Sequence, residues 1–247
     1  MRKNILITGA SAGLGAEMAR QFAALGRNLA LCARRTDRLD RLRGELTAAH
    51  PGLTVAVRRL DVTDHDAVFT VFRELDEELG GLDRVIVNAG IGKGQPVGTG
   101  HFPANLHTAE TNFVAALAQC EAAMELFRER GAGHLVVISS VSALRGLPGA
   151  VTTYAATKAG VSALAEGIRA DTLRTPIRVS AILPGYIRSE MNPEPHAPMI
   201  VSTEKGVRAM VRAIEREVPS ACVPPWPWRL IGAAMRVAPL RLIARFL

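Results

Sequence analysis

Tyr154 and Lys158 stand four residues apart in Tyr154-Ala-Ala-Thr-Lys158. On a helix that spacing puts a phenol and an ammonium on one face. A phenol with a pKa of about 10 is a poor base near neutrality. A nearby cation stabilises the phenolate, and lowering the pKa by about three units takes about 4 kcal/mol of differential stabilisation. Lys158, aided by an oxidised nicotinamide, would supply much of that. A second pattern is Thr8-Gly9-Ala10-Ser11-Ala12-Gly13-Leu14-Gly15, with three glycines between an apolar stretch and a helical one. Glycine permits a sharp turn and a close approach of backbone to a pyrophosphate, and the following helix offers free N–H groups and its positive dipole end. The spacing differs from the common Gly-x-Gly-x-x-Gly. A third is Ala33-Arg34-Arg35-Thr36. Dinucleotide folds place a carboxylate there for ribose hydroxyls; two guanidiniums suit a 2′-phosphate instead, at roughly 1.5–3 kcal/mol per charge-assisted bond. Each pattern alone has a plainer reading: an exposed helix pair, a tight turn, the start of a charged helix.

The elements that would position these residues alternate between strand and helix. Residues 4–8, 28–33, 53–58, 83–88, 134–140 and 177–183 read as strands, several of them apolar throughout. Strands of that kind belong to a parallel sheet covered on both faces. Helical spacing fills 14–25, 37–49, from Thr63 or Asp64 to Leu79, 105–130 and 152–174. Strand–helix alternation with right-handed crossovers predicts a single-domain α/β fold: a Rossmann-type doubly wound parallel sheet of about seven strands. Residues 1–223 form the domain, with 221–223 as the seventh strand, and 224–247 a basic, apolar C-terminal extension.

In this order the chain resembles the short-chain dehydrogenase/reductase family. The matching residues are Thr8 to Gly15, Asn88-Ala89-Gly90, Ser139-Ser140, Tyr154-x-x-x-Lys158 and Pro184-Gly185. They span about residues 4–190. The resemblance implies an NADP(H)-dependent oxidoreductase acting on a carbonyl or secondary alcohol. Tyr154 would be the general acid in reduction and the base in oxidation. Lys158 would also bond the nicotinamide ribose, Ser140 would hold the substrate oxygen, and Asn112 would anchor a proton-relay water. Gly9, Ser11, Ala12, Gly13, Leu14 and Gly15 would cradle the pyrophosphate. Arg34 and Arg35 would face the 2′-phosphate, Asp61 and Val62 the adenine. Asn88, Ala89 and Gly90 would line the cleft; Pro184, Gly185, Ile187 and Ser189 would hold the carboxamide. Asp61 and Asn112 also have plain readings as a turn residue and a helix-surface amide. Ser140 and Ser142 flank the family's usual spacing to the tyrosine, and strand alignment favours Ser140. A redox-silent NADP(H)-binding regulator on the same fold is the alternative function; it has no chemical use for Tyr154, Lys158, Ser140 and Asn112 together. The resemblance also implies pairing through helices 105–130 and 152–174, as a homodimer or homotetramer.

Thirty Lys and Arg against 23 Asp and Glu give the 247-residue chain a net charge of +7. That balance favours anionic partners, but nothing resembles a nucleic-acid-reading motif. Cys32, Cys120 and Cys222 form no pair and read as free thiols in a reducing, cytoplasmic compartment. The six histidines form no metal constellation, and no metal is expected. The N-terminal apolar stretch is too short for a signal peptide. Residues 190–202, with Met191, Met199 and Ile200, fall where the family has its substrate lid and suggest a lipophilic substrate. The chain departs from the family after about residue 218. Two tryptophans open residues 226–247, where arginines alternate with apolar residues and Pro239 interrupts any long helix. That segment suits a membrane interface, a cover over the substrate cleft, or a second subunit.

Overall fold

The computed structural model describes residues 2–92, 94–190 and 199–241. The Met191 end of the expected lid and the last six residues of the extension lie outside them. Seven strands form one parallel sheet: β1 Asn4–Thr8, β2 Asn28–Ala33, β3 Val55–Arg59, β4 Arg84–Val87, β5 Gly133–Ile138, β6 Ile177–Pro184 and β7 Ser220–Val223. Their order is β3-β2-β1-β4-β5-β6-β7. The chain reverses its winding between β1 and β4, and that switch opens a crevice beyond the carboxyl ends of the strands.

The strands are apolar on both sides because both sides are covered. Leu6, Ala30, Cys32, Val85, Val87, Leu135 and Val137 alternate into one core, with Phe72 and Phe127. Ile5, Ile7, Leu29, Leu31, Ile86, Val136 and Ile138 alternate into the other, with Phe22 and Met210. Helices α1 Gly13–Ala24 and α2 Thr36–Ala49 cover the second face; α3 His65–Glu78 covers the first. Asp64 caps α3 by accepting the Ala67 N–H.

The helix expected over 105–130 begins earlier and is not uniform. It runs as α4 Phe102–Ala109, a π-helical turn Glu110–Val114, and α5 Ala115–Arg130. Single π-turns inside helices mark functional sites often enough to direct attention to Asn112 within this one. Helix α6, Thr152–Asp171, carries Tyr154 and Lys158. Helix α7, Thr203–Glu215, is additional to the expected set, as is α8 below. Its signals are a Ser202 hydroxyl capping the Lys205 N–H and Val207, Met210, Val211 and Ile214 at helical spacing. Helix α8, Pro225–Val237, follows β7 and stops short of Pro239. No helix among the described residues is long and apolar enough to cross a membrane.

Candidate active site

The glycine-rich turn leaves β1 with Gly9 at φ +65° and Gly13 at φ +54°, a region that disfavours side chains. At Gly15 the constraint is space: a Cβ would lie 2.3 Å from the Gly9 carbonyl oxygen and 2.8 Å from Asn88 Nδ2. No side chain caps the N-terminus of α1 at Ala12, and its first turn holds no carboxylate. The free N–H groups and positive dipole end therefore fit an anion such as a pyrophosphate. Thr8, which closes β1, locks this turn to β4. Its hydroxyl accepts from Asn88 N (3.0 Å) and Ala89 N (3.1 Å), and Asn88 Nδ2 donates to the Thr8 carbonyl (2.9 Å).

Beyond β2 the cationic edge is wider than Arg34-Arg35. Arg35 donates from Nε (3.2 Å) and Nη2 (3.1 Å) to Ser11 Oγ, tying the edge to the glycine turn. Its Nη1 reaches Glu190 (3.3 Å), and Arg38, one helical turn on, holds the same carboxylate at 2.6 Å. The Arg38 hydrogen bond, opposed by slight desolvation and reinforced by Arg35, keeps the Glu190 carboxyl below the usual carboxylate range. Two guanidiniums thus share one carboxylate at this edge. Arg34 points the other way and lies 3.8 Å from Asp61. Asp61 folds a local turn, accepting from Thr63 N (3.1 Å) and Thr63 Oγ1 (2.8 Å), while Val62 is buried beside it. Arg38 shares the spacing of a helix face with Arg34 and Arg35, the one sequence signal that would have found it.

Tyr154, Ser140, Lys158 and Asn112 converge at the carboxyl ends of β4 and β5. Ser139 and Ser140 lie just past β5, and their hydroxyls divide the work. Ser139 Oγ donates to the Lys158 carbonyl (2.9 Å) and meets Ser162 Oγ (2.7 Å), so it seats α6. Ser140 Oγ accepts the Ser142 N–H at 3.1 Å and lies close enough to the Tyr154 phenol to favour its ionised form. Lys158 is buried; its Nζ donates to the Ile138 carbonyl (2.9 Å) and lies 6.0 Å from the Tyr154 ring centre. Asn112 is clamped against the strand end, accepting from Ile91 N and donating to Ile91 O, both at 2.8 Å. Gly90 lies between these groups: a Cβ there would sit 3.1 Å from Asn112 Oδ1 and 3.4 Å from Lys158 Nζ.

The expected lowering of the tyrosine draws on Lys158 together with an oxidised nicotinamide; the chain alone shifts the phenol the other way. Burial pushes the Tyr154 phenol up, and the Ser140 hydroxyl only partly offsets it. Burial pushes Lys158 down to about 8. The chain by itself therefore holds Tyr154 as a neutral proton donor.

The far wall of the cleft follows β6. Pro184 ends the strand, and Gly185 N donates to the Val223 carbonyl (2.9 Å). Ile187 is buried and pairs with Val201; Ser189 Cβ would be 3.5 Å from a Cβ on Gly13, which brings this wall over the glycine turn. Trp228 of α8 packs on Gly185, where a Cβ would lie 2.1 Å from its Nε1, and meets Tyr186 edge-on with ring centres 5.0 Å apart. Met235 and Ala238 pack on Leu147 and Ala155, the neighbour of Tyr154. The inner face of α8 thus packs against the segments that carry Gly185 and the neighbour of Tyr154.

The model of the short chain dehydrogenase family matches residues 3–199. The chain belongs to that family. An uncharacterized oxidoreductase of Mycobacterium tuberculosis is 56% identical to this short-chain dehydrogenase over 246 residues, covering 99% of this chain and 97% of that protein. Among solved structures, a short-chain dehydrogenase from Sphingobium yanoikuyae in complex with NADPH aligns with TM-score 0.82 at 28% identity, covering 94% and 93% of the two chains. A short chain dehydrogenase from Mycobacterium paratuberculosis bound to NAD aligns with TM-score 0.79 at 21% identity over 92% and 98%, a likeness of fold alone. The family makes this short-chain dehydrogenase an oxidoreductase that uses a nicotinamide cofactor. The described residues hold no cluster of metal-ligating side chains.

Proposed function

We propose that this short-chain dehydrogenase reduces a lipophilic ketone or aldehyde, or oxidises the corresponding alcohol, with NADP(H). The observation that carries the reading is the convergence of Ser140, Tyr154, Lys158 and Asn112 on one point beside an uncapped glycine turn. Bound nicotinamide would supply or accept the hydride, and the chain handles the proton. In the reducing direction Tyr154 Oη gives its proton to the carbonyl oxygen as that oxygen gains charge. Ser140 Oγ, beside the phenol, holds that oxygen. Lys158 stabilises the phenolate left behind, and Asn112, fixed by Ile91, orders the approach of water to Lys158. Gly9, Ser11, Ala12, Gly13, Leu14 and Gly15 would seat the pyrophosphate. Asn88, Ala89 and Gly90 would flank the nicotinamide ribose. Ile187, Ser189 and the Pro184-Gly185 turn would orient the carboxamide, and Asp61 with Val62 would bound the adenine.

Support for the 2′-phosphate is the anion-holding edge of Arg35 and Arg38, to which Arg34 adds charge. Support for a lipophilic substrate is the apolar wall of Leu147, Met235 and Trp228. A homodimer or homotetramer built on α5 and α6 completes the reading; Val114, just before α5, and Leu117 within it leave apolar surface exposed.

Oxidation of NADPH and NADH over a panel of ketones and aldehydes tests it. Turnover with NADPH should fall by about 10²–10⁴-fold in Tyr154→Phe. Arg35→Ala should cut the NADPH preference by about ten- to a hundredfold. Unchanged turnover in the first variant would overturn the acid–base assignment, and equal binding of NADH and NADPH by the wild type would overturn the cofactor.

A further inference from the structure

Helix α8 is apolar on two opposite sides. At 100° per residue, Trp228, Gly232 and Met235 fall on one side. They are the residues that meet Gly185, Leu144 and Leu147. Leu230, Ala233, Ala234 and Val237 fall on the opposite side, against nothing described. Leu230 is 61% and Val237 83% exposed, and Trp226 and Leu240 extend the exposed stripe at its two ends at 74% and 59%. Arg229 and Arg236 run along one flank between the two faces, and Arg241 stands exposed just past Pro239. No Asp or Glu occurs in the sequence after Glu217. A helix whose inner apolar face is already occupied has no packing reason to carry a second one into water, where large apolar patches mark contact sites.

We infer that the outer face of α8 rests on an anionic lipid surface, its apolar stripe entering the headgroup boundary and Arg229, Arg236 and Arg241 meeting lipid phosphates. Charge decides among occupants. The stripe is flanked by cations and by no carboxylate of its own segment, so two copies facing each other would bring arginine against arginine. An anionic surface satisfies the cations and the apolar residues at once. The inner face of the same helix walls the cleft, so a substrate dissolved in the lipid would lie close to its entrance. That last clause rests on the proposed lipophilic substrate; the lipid contact does not.

The chain carries its own reporter, because Trp226 is exposed and Trp228, its only other tryptophan, is 3% exposed. The full protein, without cofactor or substrate, would be mixed with phosphatidylcholine vesicles with and without phosphatidylglycerol. Co-sedimentation and a blue shift of tryptophan emission are expected with phosphatidylglycerol. Trp226→Phe should keep much of the sedimentation and lose the shift. The triple variant Arg229→Gln/Arg236→Gln/Arg241→Gln should bind more weakly by about fivefold per arginine. Leu230→Glu/Val237→Glu, at exposed positions that leave the inner face intact, should lose vesicle binding while keeping the wild-type circular dichroism and thermal transition. No sedimentation by the wild type would overturn the inference. So would binding that survives Leu230→Glu/Val237→Glu, or a concentration-dependent dimer that this variant abolishes. Loss of NADPH turnover in Tyr154→Phe tests the chemistry and leaves this result standing, so the two readings fail separately.

Discussion

Ser140 and Ser142 are two residues apart, yet of the two only the Ser140 hydroxyl bears on the Tyr154 phenol, while Ser142 donates its backbone N–H to Ser140 Oγ. That placement supports Ser140, the residue that strand alignment favours, as the catalytic serine. Ser140→Ala should lower turnover by about 10²-fold, because it removes the donor that holds the substrate oxygen. Ser142→Ala should change turnover less than about threefold, since its backbone bond to Ser140 is lost with the Ser140 hydroxyl and not with its own. Steady-state rates of the two variants on one substrate decide the matter, and the reverse ranking would make Ser142 the catalytic serine.

Two glycines, one in each of the first two helices, show how an element's packing reverses the meaning of one substitution. Gly44, in α2, is exposed and a Cβ there meets nothing within 4 Å. Gly44→Ala should raise stability by about 0.5–1 kcal/mol, from reduced unfolded-state freedom and better helix propensity. Gly15, in α1, has the Gly9 carbonyl 2.3 Å from the position of its Cβ. Gly15→Ala gains the same propensity but must push the glycine turn from β4. Urea melts and NADPH titration would be read together. Gly15→Ala should weaken NADPH binding by about tenfold or more while Gly44→Ala leaves it unchanged. Tight binding in Gly15→Ala would mean that the turn does not hold the pyrophosphate.

At the scale of the whole molecule, the end of the sheet away from the active site carries a buried polar chain. Arg84, fully buried, donates from Nε to His134 Nδ1 (2.9 Å), which puts the ring proton on Nε2. Nε2 then donates to Ser180 Oγ (2.9 Å), and Ser180 donates to the Val218 carbonyl (2.6 Å). The chain links β4, β5 and β6 to the segment that leads into β7. Burial, then the charges of Arg84, Arg2 and Arg178, push His134 down to about 2. A histidine freed by unfolding takes up a proton near pH 6.5, the folded one only near 2. The unfolded state thus binds more protons throughout that window, and stability falls as the pH drops below about 6.5. From pH 6.5 to pH 5 the loss amounts to about 2 kcal/mol, a sizeable part of an ordinary domain's stability. Urea melts at pH 7.5 and pH 5 should show that loss in the wild type. His134→Gln, which can accept from Arg84 and donate to Ser180 without titrating, should lack it. Equal acid sensitivity of the two proteins would remove His134 as the cause.

Much of this protein was legible in its sequence because local chemistry and period carry that information. Apolar runs bounded by glycine and charge specify strands buried on both faces, and glycines at 9, 13 and 15 between a strand and a helix specify an anion-binding turn. Tyr154 and Lys158 share a face wherever a helix forms. What sequence could not order was anything set by groups distant along the chain. The choice of Ser140 depends on where α6 puts a phenol, and the use of Ser139 on a carbonyl of the same helix. Arg38 joins the cationic edge because Glu190, 152 residues away, reaches it. Burial, a property of the packed molecule, raises the tyrosine in the chain alone, whereas the expected lowering draws on an oxidised nicotinamide as well as Lys158. The extension shows the limit most plainly. Its composition announced apolar surface and arginine; only the fold decided which apolar face meets Gly185 and Leu147 and which is left to the outside.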